Sequence, residues 1–179
     1  YSIIDNEGNA VSNTYTLGYS FGSGVTIPGT GILMNNQMNN FAYRYGDKKE
    51  RGRGASTGNR FEPGKNPMST MAPTMIFNKE GELVLVTGSP GGSLIPAAIL
   101  RVITGIIDFD LDIGQATMLP RVHKDWPKTG ILYERTVNSD VVRIINKRIG
   151  HKMTPEHTMG STQSTVSYTH LRAHETSQN

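Results

Sequence analysis

The sequence predicts an α+β fold in which layers of sheet and helix stack on one another. Short strand-like segments occupy the front and the middle of the chain, and helix-like segments follow them. Elements grouped in this way are typical of that class, because each one buries an apolar face against a neighbouring layer. At 179 residues, 36% of them hydrophobic, the chain is long enough to bury one sizeable core.

The first elements are two strands, residues 1–5 and 10–17, joined by a turn. Period-two alternation along the second strand places Ser12, Thr14 and Thr16 on one face. That row of hydroxyls is typical either of a solvated sheet face or of the floor of a polar site.

Side-chain amides are concentrated after the glycine-rich loops of residues 18–31. The members of this amide cluster are Asn35, Asn36, Gln37, Asn39 and Asn40. Because amides both donate and accept hydrogen bonds, the cluster favours recognition of a polar substrate as much as stabilisation of loop turns.

Two hydroxyls precede the middle strands. Ser69 and Thr70 lie between Pro67 and Pro73, whose rings fix the backbone. Hydroxyls held in this way suit ligand binding, although Ser and Thr in such loops commonly only stabilise turns. A β-hairpin is predicted next, over residues 75–87.

The second strand of that hairpin leads to two adjacent glycines, Gly91 and Gly92, and a buried helix over residues 94–107 begins at once. Glycine N–H groups can approach a ligand closely, and a helix N-terminus adds the positive end of its dipole. Together they form a candidate cradle for the oxyanion that arises when an amide or ester carbonyl is attacked. Taken alone, Pro-Gly-Gly is more typical of an ordinary tight turn.

Two further helices are predicted later in the sequence. One covers residues 113–118 and ends before Pro120, and the other covers residues 140–149, with Ser139 as its N-cap and Gly150 as its stop. The apolar residues of the last helix are predicted to face inward: Val141, Val142, Ile144, Ile145 and Ile149.

Composition excludes several classes of function. Without cysteine the chain has no thiol nucleophile, disulfide or cysteine–zinc site, and its histidines show no metal-binding spacing, so no metal is predicted. No apolar run reaches the ~18 residues of a membrane span. The net charge of +3 is too small to indicate nucleic acid, and the basic segment of residues 44–65 is typical of a solvated loop.

Several segments between Tyr1 and Ser164 match one protein family in order and in spacing. They are Gly8–Ser12, Thr14–Leu17, Phe21–Gly24, Gly31–Met38, Met68–Met71, Val86–Gly92 and Met159–Ser164. Together they resemble the small subunit of the γ-glutamyltransferases, or glutathione hydrolases. The resemblance implies the N-terminal-nucleophile hydrolase fold, a four-layer α/β/β/α sandwich. We expect it to be incomplete here, with the large subunit, the nucleophile and the C-terminal strands missing.

The resemblance also implies an activity. In that family a precursor cleaves itself, and the new N-terminal threonine attacks a γ-glutamyl amide with its own α-amine as the base. The γ-glutamyl-enzyme then passes its acyl group to water or to an acceptor amino acid or peptide, and no cofactor is needed. The implied partners are the large subunit of the same precursor and glutathione or other γ-glutamyl compounds. The implied location is periplasmic or extracellular.

Three residues match catalytic groups of the family. Thr16 corresponds to a threonine whose hydroxyl orients the nucleophile, and Gly91 and Gly92 correspond to the oxyanion-hole pair. The family's nucleophile belongs to a Thr-Thr-His segment directly before the tyrosine that matches Tyr1. We therefore expect this polypeptide by itself to be inactive.

The substrate-binding residues match the family in part. Ser69 and Thr70 correspond to a pair of serines that binds the substrate α-carboxylate, and Gln37 corresponds to a residue that holds the α-amine. Two other amine ligands have changed: the family's asparagine is Gly18 here, and its aspartate is Asn40. These changes favour, as an alternative, a glutaryl- or cephalosporin-acylase-like amidase with weak demand for an α-amine. A non-catalytic homologue is the other alternative.

The match stops at Ser164, so residues 1–164 are predicted to form the family domain. Back-translation of residues 166–176 gives a nucleotide string similar to a sequencing adapter. Residues 165–179 are therefore predicted to be a non-native read-through tail. The basic segment of residues 43–63 occupies the position of the family's lid loop.

Overall fold

A computed structural model of the chain describes residues 1–42, 57–125 and 130–167. Most of the predicted lid loop and the end of the predicted tail lie outside these ranges. The chain divides into two units, of which the larger joins Tyr1–Thr14 to the residues from Thr70 onward, and the smaller is Tyr15–Ser69. No helix of the described ranges is long and apolar enough to cross a membrane.

The larger unit begins with an antiparallel pair of strands, β1 (Ser2–Ile4) and β2 (Ala10–Ser12). The turn between them is shaped by the Asp5 carboxylate, which accepts hydrogen bonds from the side chain and the backbone N–H of Asn9. These bonds hold the pKa of Asp5 below its ordinary value, because they favour the ionised carboxylate.

The second strand is shorter than predicted. The last bond of this ladder joins the Asn13 N–H to the Tyr1 carbonyl, and residues 14–17 belong to no strand. The prediction that Ser12, Thr14 and Thr16 share one face of this strand is therefore wrong. The Ser12 hydroxyl donates to the Thr87 carbonyl at 3.1 Å, so it holds the hairpin against the next sheet.

The predicted hairpin in the middle of the chain is confirmed as β3 (Thr74–Phe77) and β4 (Leu83–Gly88). The two strands pair antiparallel, with Thr74 opposite Thr87. Among the described residues, β4 contains the most deeply buried run, which comprises Leu85, Val86 and Thr87.

Two of the predicted helices have the expected bounds. They are α1 (Ile95–Ile107) and α2 (Ile113–Met118). Asp112 starts α2 with a capping box, in which its carboxylate accepts the Gln115 N–H at 2.8 Å and the Gln115 side chain accepts the Asp112 N–H.

The two helices pack on β4 to form the core of the larger unit. Leu85, Val102 and Ala116 are 0%, 0% and 1% exposed and lie at the centre of this cluster. Gly105 allows the helices to approach each other, since a Cβ at that position would lie 3.0 Å from the Ala116 Cβ. The α+β arrangement expected from the sequence is therefore present, with helices on a sheet.

The remaining strands complete the sheet of β3 and β4 and form a second three-stranded sheet. They are β5 (Val122–His123), β6 (Ile131–Glu134), β7 (Met153–Glu156) and β8 (Gln163–Val166). β6 is the middle strand of the second sheet, antiparallel to β5 and parallel to β7. β8 returns to β4 and pairs with it antiparallel, which gives the central sheet the order β3-β4-β8.

The last helix, α3 (Ser139–Ile144), continues as a π-helical turn and ends before Gly150. Its N-cap is Asn138 and not Ser139, because the Asn138 Oδ1 accepts the Asp140 N–H at 2.8 Å. The prediction that its apolar residues face inward is wrong for three of them, which are 45%, 42% and 61% exposed: Val141, Ile144 and Ile149. In the described residues no layer packs over that side of the helix.

In its described residues, 15–42 and 57–69, the smaller unit consists mainly of turns. It contains an isolated bridge between Thr26 and Leu33 and a 3₁₀ turn at Gln37–Asn40. Phe41 is 3% exposed, and its ring meets the ring of Phe61 edge to face at a centroid distance of 5.3 Å. This aromatic contact stabilises a unit that has little regular secondary structure.

A buried ion pair that the sequence did not predict joins Arg121 to Glu134. The Arg121 Nη1 lies 3.2 Å from the Glu134 Oε1, and the two side chains are 9% and 10% exposed. The Arg121 N–H donates to the Glu134 Oε2 at 2.9 Å, and the Glu134 N–H donates to the Arg121 carbonyl at 3.0 Å. The two charges are thus paired, as burial requires, while the buried Arg121 Nε has no hydrogen-bond partner among the described residues.

Replacing Arg121 by methionine would leave the Glu134 carboxylate buried without its counter-ion. We expect a loss of about 3–5 kcal/mol in the free energy of unfolding, measured by chemical denaturation of the purified full-length protein. Arg143→Met is the matched control, because Arg143 and its partner Asp140 are 63% and 67% exposed. An exposed pair contributes at most about 1 kcal/mol. Equal losses for the two variants would contradict this account.

Candidate functional site

The glycine pair lies where β4 passes into α1. Gly91 has φ 138° and ψ 6°, and Gly92 has φ 59°. The Gly91 conformation is closed to residues with a side chain, so glycine is required there. The Gly91 carbonyl accepts the Leu94 N–H at 3.1 Å, which closes the short 3₁₀ turn that precedes the helix.

Neither glycine N–H group takes part in the hydrogen bond of this turn. Neither donates to a protein acceptor in the ranges that the structure describes. Gly91 is exposed and Gly92 half-buried, and the 13-residue helix α1 follows them. Two adjacent donors at the positive end of a helix dipole can bind an oxyanion. The oxyanion-hole role remains a prediction from the sequence.

In the smaller unit, Thr16 opens a turn that is held by Asn36. The Thr16 Oγ accepts the Gly18 N–H at 2.9 Å, which leaves the hydroxyl proton of Thr16 available for another acceptor. The Asn36 Oδ1 accepts the Tyr19 N–H at 2.9 Å. A Cβ on Gly18 would collide with that oxygen, and the φ of Gly18 is +96°. The local backbone at position 18 therefore favours glycine.

Gln37 and Asn40 lie one 3₁₀ turn apart and bond to each other. The Asn40 Nδ2 donates to the Gln37 Oε1 at 2.6 Å, and both residues are half-buried. A substrate ammonium needs acceptors, and the Gln37 oxygen already accepts from Asn40. An aspartate at position 40 would have no N–H to give and would add a second, charged acceptor.

Asn59 links two of the predicted binding elements and was missed by the sequence reasoning. Its Nδ2 donates to the Asn40 carbonyl at 2.8 Å, and its Oδ1 accepts the Met68 N–H at 3.0 Å. Met68 directly precedes Ser69, so one asparagine joins the amide turn to the hydroxyl loop. These bonds span 19 and 9 positions along the chain, so no local pattern signals them.

The predicted site residues fall in both units. Ser69 is exposed and ends the smaller unit, and Thr70 is half-buried and begins the long segment of the larger one. The smaller unit also holds Thr16, Gln37 and Asn40, and the larger also holds Gly91 and Gly92. Within a unit the structure brings Gln37 into contact with Asn40 and places the two glycines side by side. Assignment of both groups to one site remains a prediction.

Within the described part of the chain, no group of three or more His, Asp or Glu side chains could hold a metal ion. The His123 imidazole is paired with a single carboxylate, its Nε2 lying 2.7 Å from the Asp125 Oδ1.

Comparisons with known proteins give a consistent result. A sequence model of the Gamma-glutamyltranspeptidase family matches residues 1–175. The glutathione hydrolase proenzyme of Escherichia coli (strain K12) is 39% identical over 164 residues, which are 92% of this chain and 28% of that relative. A crystal structure of an acivicin-inhibited gamma-glutamyltranspeptidase superposes with a TM-score of 0.86 at 33% identity, covering 96% of this chain and 91% of that one.

A cephalosporin acylase from Bacillus halodurans is a more distant structural neighbour. Its TM-score is 0.65 at 28% identity, over 80% of this chain and 25% of that one. This chain spans only 28% of the length of the Escherichia coli relative. The resemblance drawn from the sequence and the expected fold are nevertheless confirmed, because family model and superposed structure cover nearly all of this chain. The chain belongs to the gamma-glutamyltranspeptidase family.

Proposed function

We propose that the chain is the small subunit of a glutathione hydrolase that cleaves γ-glutamyl amides and transfers the acyl group to water, an amino acid or a peptide. Its membership of the family supports this proposal. The observation within the chain that carries it is the pair of unengaged N–H groups at Gly91 and Gly92. The partner is the large subunit of the same precursor, and the location is periplasmic or extracellular.

Acylation requires a nucleophile, a base and an oxyanion site. The hydroxyl of an N-terminal threonine, encoded ahead of Tyr1, attacks the γ-carbonyl carbon, and the α-amine of that threonine takes the hydroxyl proton. The N–H groups of Gly91 and Gly92 donate to the oxygen as it becomes negative. The C–N bond then breaks, and the leaving amine takes the proton from the threonine ammonium. The Thr16 hydroxyl orients the nucleophile.

Deacylation follows the same path in reverse, with water or an acceptor amine as the attacking group. Ser69 and Thr70 bind the substrate α-carboxylate, and Gln37 and Asn40 face its α-amine. Losing one oxyanion donor typically costs about 100- to 1,000-fold in rate. We therefore expect the glycine pair to make a large contribution to catalysis.

A covalent γ-glutamyl intermediate is the direct test of this function. We expect the purified full-length precursor to cleave itself and then to turn over a γ-glutamyl anilide. Mass spectrometry of the acid-quenched reaction should find one γ-glutamyl group on the N-terminal threonine of the small subunit. Turnover without that adduct would refute the threonine mechanism. Absence of both self-cleavage and turnover would favour the non-catalytic homologue.

An acylase-like amidase is the second candidate function, and the amide pair of Gln37 and Asn40 favours it. In the family pattern an aspartate at this position supplies a carboxylate for the substrate ammonium. Here the Asn40 amide donates to the Gln37 oxygen at 2.6 Å and offers no negative charge. A charge-assisted bond contributes roughly 1.5–3 kcal/mol, so its loss weakens selection for an acyl group that carries an α-amine.

Restoring the carboxylate tests which acyl group this site prefers. We expect Asn40→Asp to raise kcat/KM for a γ-glutamyl anilide by roughly 10- to 100-fold, with little change for a glutaryl anilide that lacks the amine. Asn39→Asp is the control, because it adds the same charge one residue away. A wild-type preference for γ-glutamyl over glutaryl above about 100-fold would rule out the acylase alternative.

A further inference from the structure

A buried carboxylate supports the loop that carries the glycine pair. Glu134 lies at the end of β6 and is 8% exposed. Its Oε1 accepts the Met159 N–H at 2.7 Å, and its Oε2 accepts the Arg121 N–H at 2.9 Å. The Arg121 guanidinium also contacts Oε1 at 3.2 Å, so the carboxylate is held from several directions and its orientation is fixed.

A second tether holds the same segment two residues later. The Ser161 N–H donates to the Ser89 Oγ at 3.1 Å, and Ser89 donates to the Pro90 carbonyl at 2.8 Å. Gly160 thus lies between two fixed N–H groups, those of Met159 and Ser161. Met159 and Ser89 are 2% and 3% exposed, so both tethers reach into the interior, where hydrogen bonds are stronger than in water.

Gly160 packs directly against the glycine loop. A Cβ on Gly160 would lie 2.7 Å from the Ser89 Oγ and 3.1 Å from both the Pro90 carbonyl oxygen and the Ala98 Cβ. From the other side, a Cβ on Gly91 would lie 3.5 Å from the Gly160 Cα. The two backbones meet without a side chain between them, so the position of one sets the position of the other.

We propose that Glu134 and Gly160 are positioning residues for the oxyanion-binding N–H groups of Gly91 and Gly92. The carboxylate fixes the Met159–Ser161 segment, and Gly160 in that segment sets the place of the glycine loop. The inference rests on the proposed function, because it requires that the N–H pair stabilise a tetrahedral intermediate. A shift of the pair affects the transition state more than the bound substrate, since negative charge develops on the oxygen only as the tetrahedral intermediate forms.

The test uses the full-length precursor after self-cleavage and compares Gly160→Ala with Gly150→Ala. The φ of Gly150 is +83° and that of Gly160 is +87°, but a Cβ on Gly150 would meet nothing within 4 Å. Both substitutions place a side chain at a similar positive φ. Only the Cβ of Gly160→Ala would collide with the glycine loop, at Ser89 and Pro90. Rates are normalised to the fraction of the precursor that has cleaved itself, and melting temperatures are recorded for both variants.

We expect Gly160→Ala to lower kcat by roughly 10- to 100-fold with KM nearly unchanged, as small displacements at a reacting centre do. Affinity for a boronic acid analogue of the γ-glutamyl group, which forms a tetrahedral adduct with the threonine, should fall by a similar factor. Gly150→Ala should leave both quantities unchanged. If Gly160→Ala lowers only the melting temperature, and by as much as Gly150→Ala, the inference is overturned.

Gly91→Ala separates this inference from the proposed function. The φ of 138° at Gly91 does not accommodate a side chain, so this substitution moves the N–H pair directly. If Gly91→Ala loses activity and Gly160→Ala keeps it, only the supporting role fails. If neither variant changes kcat or analogue affinity, the oxyanion role itself fails.

Glu134→Gln tests the first tether. Glutamine keeps one acceptor oxygen and replaces the other by an NH₂ group, so either the Met159 or the Arg121 N–H loses its acceptor. Glu156 is the register neighbour of Glu134 on β7 and is exposed, which makes Glu156→Gln the matched control. We expect kcat and analogue affinity to fall in Glu134→Gln alone. Unchanged values in both variants would overturn the role of Glu134.

Discussion

The backbone between β4 and α1 is the constraint on which the rest of the site depends. β4 is the middle strand of its sheet and α1 packs on the same buried core, so both ends of the connection are fixed. The residues between them have little freedom, because Ser89 is buried and the φ of Gly91 is open only to glycine. The fold thereby leaves two N–H groups without a protein acceptor, within the described residues, at the positive end of a helix.

The smaller unit shows the local bonding at Gly18 and Asn40, the two positions at which the sequence predicts a departure from the family pattern. The Asn36 side chain occupies the space that a Cβ on Gly18 would need, and the Asn40 amide satisfies the Gln37 oxygen. In the proposed site, the predicted change at position 40 removes a negative charge and the one at position 18 removes a side-chain amide, so both bear on acyl specificity more than on folding.

Some helices could be predicted from the sequence because residues close to their ends determine where they begin or stop. α1 was predicted from the buried helical run that follows the glycine pair, and α2 from the stop at Pro120, both of which are local features of the sequence. β2 and the exposed side of α3 were predicted wrongly, because strand length and burial depend on partners elsewhere in the fold. The Arg121–Glu134 pair and the bonds of Asn59 were missed for the same reason. The role of the glycine pair stays a prediction from the sequence, and the proposed support by Gly160 rests on contacts between segments that are distant along the chain.

The most direct measurement is a crystal structure of the mature full-length enzyme with a boronic acid bound to its threonine as a tetrahedral adduct. The account predicts that one adduct oxygen lies about 2.7–3.1 Å from the backbone nitrogens of both Gly91 and Gly92. An adduct oxygen bound by other donors, or glycine N–H groups that donate to backbone carbonyls in that state, would contradict it.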